Sequence, residues 1–231
     1  MHPAKAPRLL GERARSRRGH LLEVARTLFT EQGFHQTGIA QIATASGIAV
    51  GQIYRDFESK EAIIAAICEA DVEAWLEEKA LADAVAGQDL NAIRAWLERF
   101  GMRDQPEDRC RLVAEIIAEA GRNRRVADIY RQVDARVRQS LSAALVALAP
   151  DGTSAKHVAA VAEYILTLGA GAVCRRIAHP QQCAEQIDRF VDAAIFNDLE
   201  YLLQETGVGS APTRASTATT CRGMKDREVR R

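Results

Sequence analysis

The chain has 231 residues and no net charge, because 31 Lys and Arg balance 31 Asp and Glu, and 47% of its residues are hydrophobic. This length allows one or two domains with a buried core, and the alanine-rich, proline-poor composition favours helices. No apolar run approaches the roughly 20 residues of a membrane span, and no secretory signal is predicted. We therefore expect a cytoplasmic protein without a membrane segment.

The five cysteines are odd in number, widely scattered and never spaced as CxxC. This pattern argues against a disulfide framework and against a structural zinc site.

Charge is unevenly distributed along the chain. Residues 1–60 hold nine Lys and Arg against five Asp and Glu, whereas residues 61–100 hold three against nine. A basic front end on an acidic body is typical of a nucleic-acid-binding head on a scaffold. Ordinary surface variation would give the same imbalance, so charge alone leaves both interpretations open.

The N-terminal elements can be predicted in chain order. Residues 1–14 read as a flexible basic arm. A helix should begin near Arg15 and end at Gly33, which suits the left-handed conformation of a helix end. Its apolar positions follow the helical spacing i, i+3, i+4, i+7 and i+8; they are Leu21, Val24, Ala25, Leu28 and Phe29. Thr37 should cap a short second helix.

The remainder of the chain also reads as helical. A long helix should begin at Ser59 and fade near Gly87. Further helices are predicted over about 90–102, 110–120, 123–149, 154–178 and 181–205, with a loop at 103–108 and a disordered tail over 206–231. No stretch alternates with period two, so the predicted fold class is all-α.

The segment 38–57 meets the steric requirements of a helix-turn-helix. Ala43 supplies a small residue at the helix crossing, and Gly47 tolerates the positive φ of the turn. Ile42, Ile48 and Ile53 can fill the small core beneath. The second helix would expose Val50, Gln52 and Arg55, which fits a major groove where Gln and Arg read adenine or guanine edges. A plain helical hairpin is the alternative.

The N-terminal region also resembles the tetracycline-repressor (TetR) family of bacterial transcription regulators, over about residues 15–75. The matching positions are Ala25-x-x-Leu28-Phe29, Gly33-Phe34, Thr37, Ile42-Ala43, Ala45-x-Gly47-Ile48, Gly51-x-Ile53-Tyr54, Phe57 and Ser59-Lys60-Glu61. The rest of the chain matches only in helical character and in phrases such as EIIAEAGRN. The resemblance implies a DNA-binding head at 15–75 and a helical regulatory and dimerisation domain at 76–205.

The resemblance also implies DNA contacts by position. Thr37, Tyr54 and Lys60 would bind phosphate oxygens, the last with a helix dipole behind it. Val50, Gly51, Gln52 and Arg55 would face bases or the groove wall. Arg17 and Arg18 complete the predicted DNA-binding set.

Two positions depart from the family pattern. Asp56 stands where the family often has histidine, and a carboxylate repels phosphate; it could instead orient Arg55 or Lys60, or turn away. Gly38 stands where a small hydroxyl residue is common, which removes one possible phosphate contact.

Other functional classes find little support in the sequence. The histidines do not pair with a nucleophile, and no phosphate-cradling GxxxxGK is present, so no enzyme and no cofactor is predicted. His179 and Cys183 have a helical ligand spacing but no obvious third ligand, so no metal site is predicted. Cys68 and Cys110 could sense oxidants, although a buried apolar role suits each better.

Aromatic side chains in the body could line a ligand cavity, or could simply fill the core. The predicted pocket residues are Trp96, Phe100, Ile117, Tyr130 and Tyr164. In the family, the last two long helices, here about 154–178 and 181–205, pair with their copies in a homodimer. Ala170, Gly171 and Ala172 would permit that close approach.

These observations predict a repressor that binds a palindromic operator as a homodimer and is released by a small apolar or amphipathic effector. The alternative is a constitutive or architectural DNA-binding protein without an inducer.

Overall fold

The computed structural model describes residues 6–101, 106–179 and 194, which are helical apart from short connections. The helices are α1 (Ala6–Gln32), α2 (Ile39–Ser46), α3 (Val50–Asp56), α4 (Lys60–Leu76), α5 (Glu78–Ala86), α6 (Leu90–Leu97), α7 (Glu107–Ala120), α8 (Arg124–Leu148) and α9 (Ala155–Ala178). A 3₁₀ turn, Glu98–Gly101, continues α6. These ranges contain no strand, and the all-α prediction is confirmed.

The first helix is longer than predicted. It begins at Ala6, so most of the expected flexible arm at 1–14 is helical, and only residues 1–5 lie outside the described part. The segment is rich in Ala, Leu, Arg and Glu, which are strong helix formers. Pro7 does not oppose the helix, because it lies in the first turn, where its missing N–H has no intrahelical partner.

The predicted long helix from Ser59 to Gly87 is interrupted. Glu77 adopts a left-handed conformation with φ 46°, and it separates α4 from α5. The carbonyl groups freed at the end of α4 accept hydrogen bonds from later side chains. Trp96 Nε1 donates to Leu76 O at 2.6 Å, and Arg99 donates to Trp75 O. These bonds stabilise the interruption between α4 and α5, which no glycine or proline in the local sequence predicts.

Helices α4, α8 and α9 begin at side-chain caps. Ser59 Oγ accepts from Ala62 N, Asn123 Oδ1 accepts from Arg125 N, and Ser154 Oγ accepts from His157 N. Each bond satisfies an otherwise unpaired N–H of a first helical turn. The predicted helix at 181–205 and the tail at 206–231 lie outside the described residues, except for Ala194, which is helical.

Two clusters of buried apolar side chains hold the fold together. The head cluster combines residues of α1 to α4 with Leu112, Ile116 and Val126 from α7 and α8. The body cluster joins the end of α4 to α5, α6, α8 and α9. Val133 packs against both clusters. The hydrophobic packing therefore does not divide at residue 75, where the sequence predicts a domain boundary, because α4 and α8 contribute to both clusters.

Helix α9 has the length and composition of a membrane span, with a mean hydropathy of 1.5, a feature that the sequence prediction missed. One helix of this kind is weak support for a membrane protein, since core helices meet the same criterion. Its residues Val158, Val161, Ala162 and Ile165 are buried in the body cluster. The apolar composition of α9 thus has a packing explanation.

Candidate nucleic-acid interface and cavity

Helices α2 and α3 form the predicted helix-turn-helix. Gly47 ends α2 with φ 67°, the left-handed conformation that glycine adopts without a steric penalty. Ile42 and Ile53 are fully buried beneath the crossing, and Ile48 packs beside them. The turn glycine and its small apolar core are therefore where the spacing predicts them.

The outer face of α3 carries side chains that the head does not bury. Val50 is 41% exposed and Tyr54 is 54% exposed, and Gly51 and Arg55 are also exposed. A Cβ added at Gly51 would meet no atom within 4 Å, so packing within the chain does not require a glycine there. Four of the predicted DNA-binding residues thus share one accessible surface, here called the α3 face (Val50, Gly51, Tyr54 and Arg55).

Gln52 and Asp56 lie half-buried beside that face and connect it to α1. Gln52 Nε2 donates to Asp56 Oδ1 at 3.1 Å, and Gln52 Oε1 accepts from Arg55 Nε at 3.2 Å and from Arg55 Nη2 at 2.5 Å. Asp56 Oδ2 lies 3.7 Å from Arg17 Nε. Asp56 therefore orients Lys60 by no hydrogen bond, and it forms no direct hydrogen bond to Arg55. Its carboxylate is connected to Arg55 through the Gln52 amide.

The two predicted arginines of α1 differ in their surroundings. Arg17 is half-buried against Asp56, whereas Arg18 is exposed and stacks its guanidinium 4.7 Å from the centroid of the Phe57 ring. Phe57 follows α3 directly. Arg18 therefore keeps its charge at the surface next to the helix-turn-helix.

Thr37 faces inward rather than towards a partner. It is 1% exposed, and its hydroxyl donates within the chain, with Gly33 O at 2.9 Å and Leu28 O at 3.2 Å. It also does not cap α2, since Gly38 occupies that position and its N–H donates to Gln41 Oε1 at 2.7 Å. The hydroxyl expected to bind phosphate instead stabilises the turn between α1 and α2.

Lys60 is committed to the same turn. Its Nζ donates to Phe34 O at 2.6 Å and to Thr37 O at 2.9 Å, and it lies 4.3 Å from the centroid of the Phe34 ring. Burial lowers the pKa of this ammonium group. Two of its three N–H groups are used inside the protein, which leaves one for any external anion.

A cavity of about 240 Å³ lies in the body between α4, α7, α8 and α9. Three of the predicted pocket residues, Phe100, Ile117 and Tyr130, line it. Trp96 does not, because it is buried in the body cluster with its indole N–H bonded to Leu76 O. Tyr164 does not either, because it points outward from α9 and is 37% exposed.

Several lining residues were not predicted. They include Cys68, Asp71, Val72 and Trp75 on α4, Arg109, Cys110 and Val113 on α7, and Asp134 on α8. The polar ones among them gave no signal in the sequence, since a charged residue on a helix usually faces solvent.

The lining groups are largely neutral or paired. Burial raises the pKa of the Cys68 thiol to about 12, and burial also raises the pKa of Cys110 and of Tyr130. Asp134 pairs with Arg138 at 3.1 Å. The thiols therefore stay protonated at neutral pH, which favours the apolar role over oxidant sensing.

Asp71 connects the cavity to the head. Its two carboxylate oxygens accept from Arg26 Nη1 at 2.6 Å and Arg26 Nη2 at 2.5 Å, a bidentate pair in which both side chains are mostly buried. Arg26 belongs to α1, whereas Asp71 belongs to α4 and lines the cavity. A group entering the cavity would therefore meet the partner of a head residue.

No cluster of three or more metal-ligating side chains occurs among residues 6–101, 106–179 and 194. His179 is described, whereas Cys183 lies outside these ranges.

Two family models match the chain. "Bacterial regulatory proteins, tetR family" matches residues 21–67, and "BetI-type transcriptional repressor, C-terminal" matches residues 87–196. The chain is 34% identical over 127 residues to the HTH-type transcriptional regulator UidR of Escherichia coli K12, a match covering 51% of this chain. The chain spans about three fifths of that relative's length, 59%.

Solved structures show the same fold. Salmonella enterica GusR superposes with a TM-score of 0.59 at 22% identity, covering 79% of this chain and 96% of GusR. FadR from Bacillus subtilis, solved in complex with stearoyl-CoA, superposes with a TM-score of 0.61 at 16% identity, covering 80% and 97%. The chain belongs to the TetR family of bacterial transcription regulators. Members of this family are DNA-binding regulators and not enzymes.

Proposed function

We propose that the protein is a cytoplasmic transcriptional repressor that binds a palindromic operator as a homodimer and is released by a small apolar or amphipathic effector. The head at 15–75 would place α3 in the major groove, and the body at 76–205 would bind the effector and the second copy. The exposed α3 face and the neighbouring Arg18 supply apolar contacts, a hydroxyl and positive charge. These groups suit bases and phosphates.

The response to an effector is supported by one observation: α4 is part of the DNA-binding head and also lines the cavity. The helix begins at Lys60, whose ammonium is bonded within the head, and about three to four turns later it lines the cavity with Asp71, Val72 and Trp75. An effector that favours one position of α4 would therefore change the position of the head. This is a population shift between a spacing that fits DNA and one that does not.

The cavity supports an effector that is mainly apolar. Its walls are formed by aliphatic and aromatic side chains, with the Tyr130 hydroxyl, Asp71 and Arg109 among the few polar groups. Pockets for small molecules typically combine such walls with a small number of polar anchors.

The dimer part of the proposal draws on the outward face of α9. This face carries small side chains at helical spacing, namely Ala160, Thr167, Gly171, Cys174 and Ala178, together with the larger exposed side chain of Tyr164. Small residues let two helices approach closely, and a second copy would cover a face that a single chain leaves exposed. Ala172 does not contribute, because it is buried within its own chain. The second predicted dimer helix, at 181–205, lies outside the described residues.

The dimer can be tested with Gly171→Glu. A Cβ at Gly171 would meet no atom within 4 Å, so the substitution should leave the fold of one chain intact while placing a charge on the proposed contact. Ala82→Glu on the exposed side of α5 is the matched control. Light scattering after size-exclusion chromatography should give a dimer for the wild type and for Ala82→Glu, and a monomer for Gly171→Glu. A dimer in all three would overturn the α9 interface.

DNA binding can be tested without a known operator. The full chain is used to select duplexes from a random-sequence library, and the enriched sequences should form an inverted repeat with half-sites about one helical turn apart. Enrichment of no sequence would contradict the repressor function, and enrichment of a single half-site would contradict binding as a symmetric dimer.

The effector is tested by thermal shift with a panel of fatty acids and aromatic amphiphiles. A ligand at 100 times its Kd stabilises the native state by about 2.7 kcal/mol. Val113→Trp, which fills the cavity from α7, is the control and should not respond. A wild type that no compound stabilises, and whose DNA binding no compound weakens, would favour the constitutive DNA-binding protein instead.

A further inference from the structure

The side chains of α3 form a directional chain of hydrogen bonds. Asp56 accepts from the Gln52 amide nitrogen at 3.1 Å, and the Gln52 amide oxygen accepts from Arg55 Nε and Nη2. The amide orientation is determined by both neighbours, because a carboxylate only accepts and a guanidinium only donates. If the amide were flipped, its oxygen would face the carboxylate and its N–H groups would face the guanidinium.

This arrangement occupies Gln52. A bidentate contact to adenine needs the amide oxygen and an N–H of the same side chain to be free together. Here the oxygen already accepts two N–H groups from Arg55, and the amide nitrogen donates to Asp56. Gln52 is also only partly accessible. Its side chain is therefore placed as a strut beneath Arg55.

The guanidinium of Arg55 has a second edge whose N–H groups are not bonded to Gln52. Nε and one N–H of Nη2 point to Gln52, and this leaves the Nη1 group and the second N–H of Nη2 for a ligand. Two parallel N–H donors match either the O6 and N7 atoms of guanine or two oxygens of a phosphate. A phosphate can be bound by a mobile side chain, whereas reading a base edge requires a fixed one. The strut fixes the guanidinium of an otherwise exposed residue.

We propose that Arg55 reads a guanine in each operator half-site and that Gln52 and Asp56 are positioning residues that hold it for this contact. Arg17 Nε lies 3.7 Å from the Asp56 carboxylate without a hydrogen bond to it, so α1 contributes a favourable charge beside the arrangement. The proposal rests on the proposed binding of DNA through α3. It gives Asp56 a role in base recognition, although its carboxylate repels phosphate.

The test is selection from the random duplex library with the wild type and single variants. The wild type should enrich guanine at one position of each half-site. Arg55→Ala and Arg55→Lys should lose that preference, roughly 5- to 150-fold in relative affinity for guanine over the other bases, while other positions are retained. Gln52→Ala and Asp56→Ala should reduce the same preference at the same position. Circular dichroism melting of each variant checks that it remains folded.

Asp56 offers a readout that a merely structural residue would not give. Asp56→Asn keeps an oxygen that accepts from Gln52 Nε2, so it should retain the guanine preference that Asp56→Ala loses. Both variants remove a negative charge near DNA and should bind random-sequence duplex at least as tightly as the wild type. Lower specificity together with undiminished non-specific affinity is the signature expected of Asp56→Ala.

Three results would overturn the proposal. If Arg55→Ala weakens binding uniformly across all sequences, Arg55 contacts phosphate. If Gln52→Ala relaxes an adenine position and leaves guanine untouched, Gln52 reads the base itself. If the wild type selects an inverted repeat whose bases do not depend on Arg55, another residue is the reader. A wild type that selects no sequence would instead contradict DNA recognition as a whole, which separates failure of this inference from failure of the proposed function.

Discussion

The head and the body differ in the direction in which their informative side chains point. On the head, α3 presents Val50, Tyr54 and Arg55 outward over a small, buried apolar core. In the body, side chains from four helices line a cavity of about 240 Å³. In the proposed function, the head offers an exposed surface to DNA, whereas the body offers a cavity to a small molecule. Regulators of this kind need both, and α4 connects them.

The head and the body are not separate packing units. The head cluster contains α7 and α8 residues, and Val133 contacts both clusters. The two regions differ in function but share helices, so we expect them to unfold together.

Removal of a head core residue should give the largest effect. Phe29 is fully buried and packs on Phe34, with ring centroids 5.1 Å apart, so Phe29→Ala should lower the free energy of unfolding by about 3–5 kcal/mol. Both tryptophans, Trp75 and Trp96, lie in the body. Urea unfolding at one protein concentration should therefore shift equally by tryptophan fluorescence and by far-UV circular dichroism. An unshifted fluorescence transition would mean that the two regions unfold separately; Val50→Ala serves as the exposed control.

Lys60 and Tyr54 are both predicted to bind phosphate, but substitutions should show that Lys60 mainly stabilises the fold and that Tyr54 contacts DNA. Lys60→Ala removes charged hydrogen bonds to two carbonyl groups and should cost about 1.5–3 kcal/mol of stability. Tyr54→Ala changes an exposed side chain and should stay within about 0.5 kcal/mol of the wild type, yet weaken binding to the selected duplex. Thermal melts and gel-shift titrations of both variants check this. Equal stability losses would show that the α3 face is not free for DNA.

Asp71→Asn should act on the connection between cavity and head. Loss of the ionic pair with Arg26 should cost about 1–3 kcal/mol, less than a fully buried pair because both side chains retain some exposure. The variant should also need more effector for DNA release, measured by competition in a gel shift. Asp83→Asn, which breaks the surface pair with Lys79, is the control. Unchanged release by Asp71→Asn would remove this pair from the coupling.

Cysteine alkylation should give the smallest effect, since the two cavity thiols are expected not to react. Cys68 is buried with a pKa of about 12, and Cys110 is also buried, whereas Cys174 is exposed on α9. Iodoacetamide at neutral pH should spare the two cavity thiols of the native protein, and it should alkylate Cys174 in the Gly171→Glu variant, where the proposed α9 contact no longer covers it, as read by peptide mass spectrometry. Rapid alkylation of Cys68 in the native protein would mean that the cavity opens readily to solvent.

The amino-acid sequence by itself determined the class of this protein. The spacing of Ala43, Gly47 and Ile53 specifies a helix-turn-helix, because a small residue at the crossing and a positive φ at the turn are local requirements. Helical periodicity and capping residues such as Ser59 and Ser154 likewise act within a few positions along the chain. Such signals can be read without a tertiary structure.

Only the tertiary structure decided which groups are free to act. The end of α4 at Glu77 depends on Trp96 and Arg99, some 20 residues away. Lys60 is turned inward by carbonyl groups of the turn between α1 and α2, 23 and 26 residues earlier, and Asp71 reaches α1 across 45 residues. Hydrogen-bond partners that are distant in sequence leave no periodic pattern. The sequence therefore indicated that α3 is a DNA-recognition helix. The packing determined which side chains near α3 are exposed and which, such as Thr37 and Lys60, are bonded within the protein.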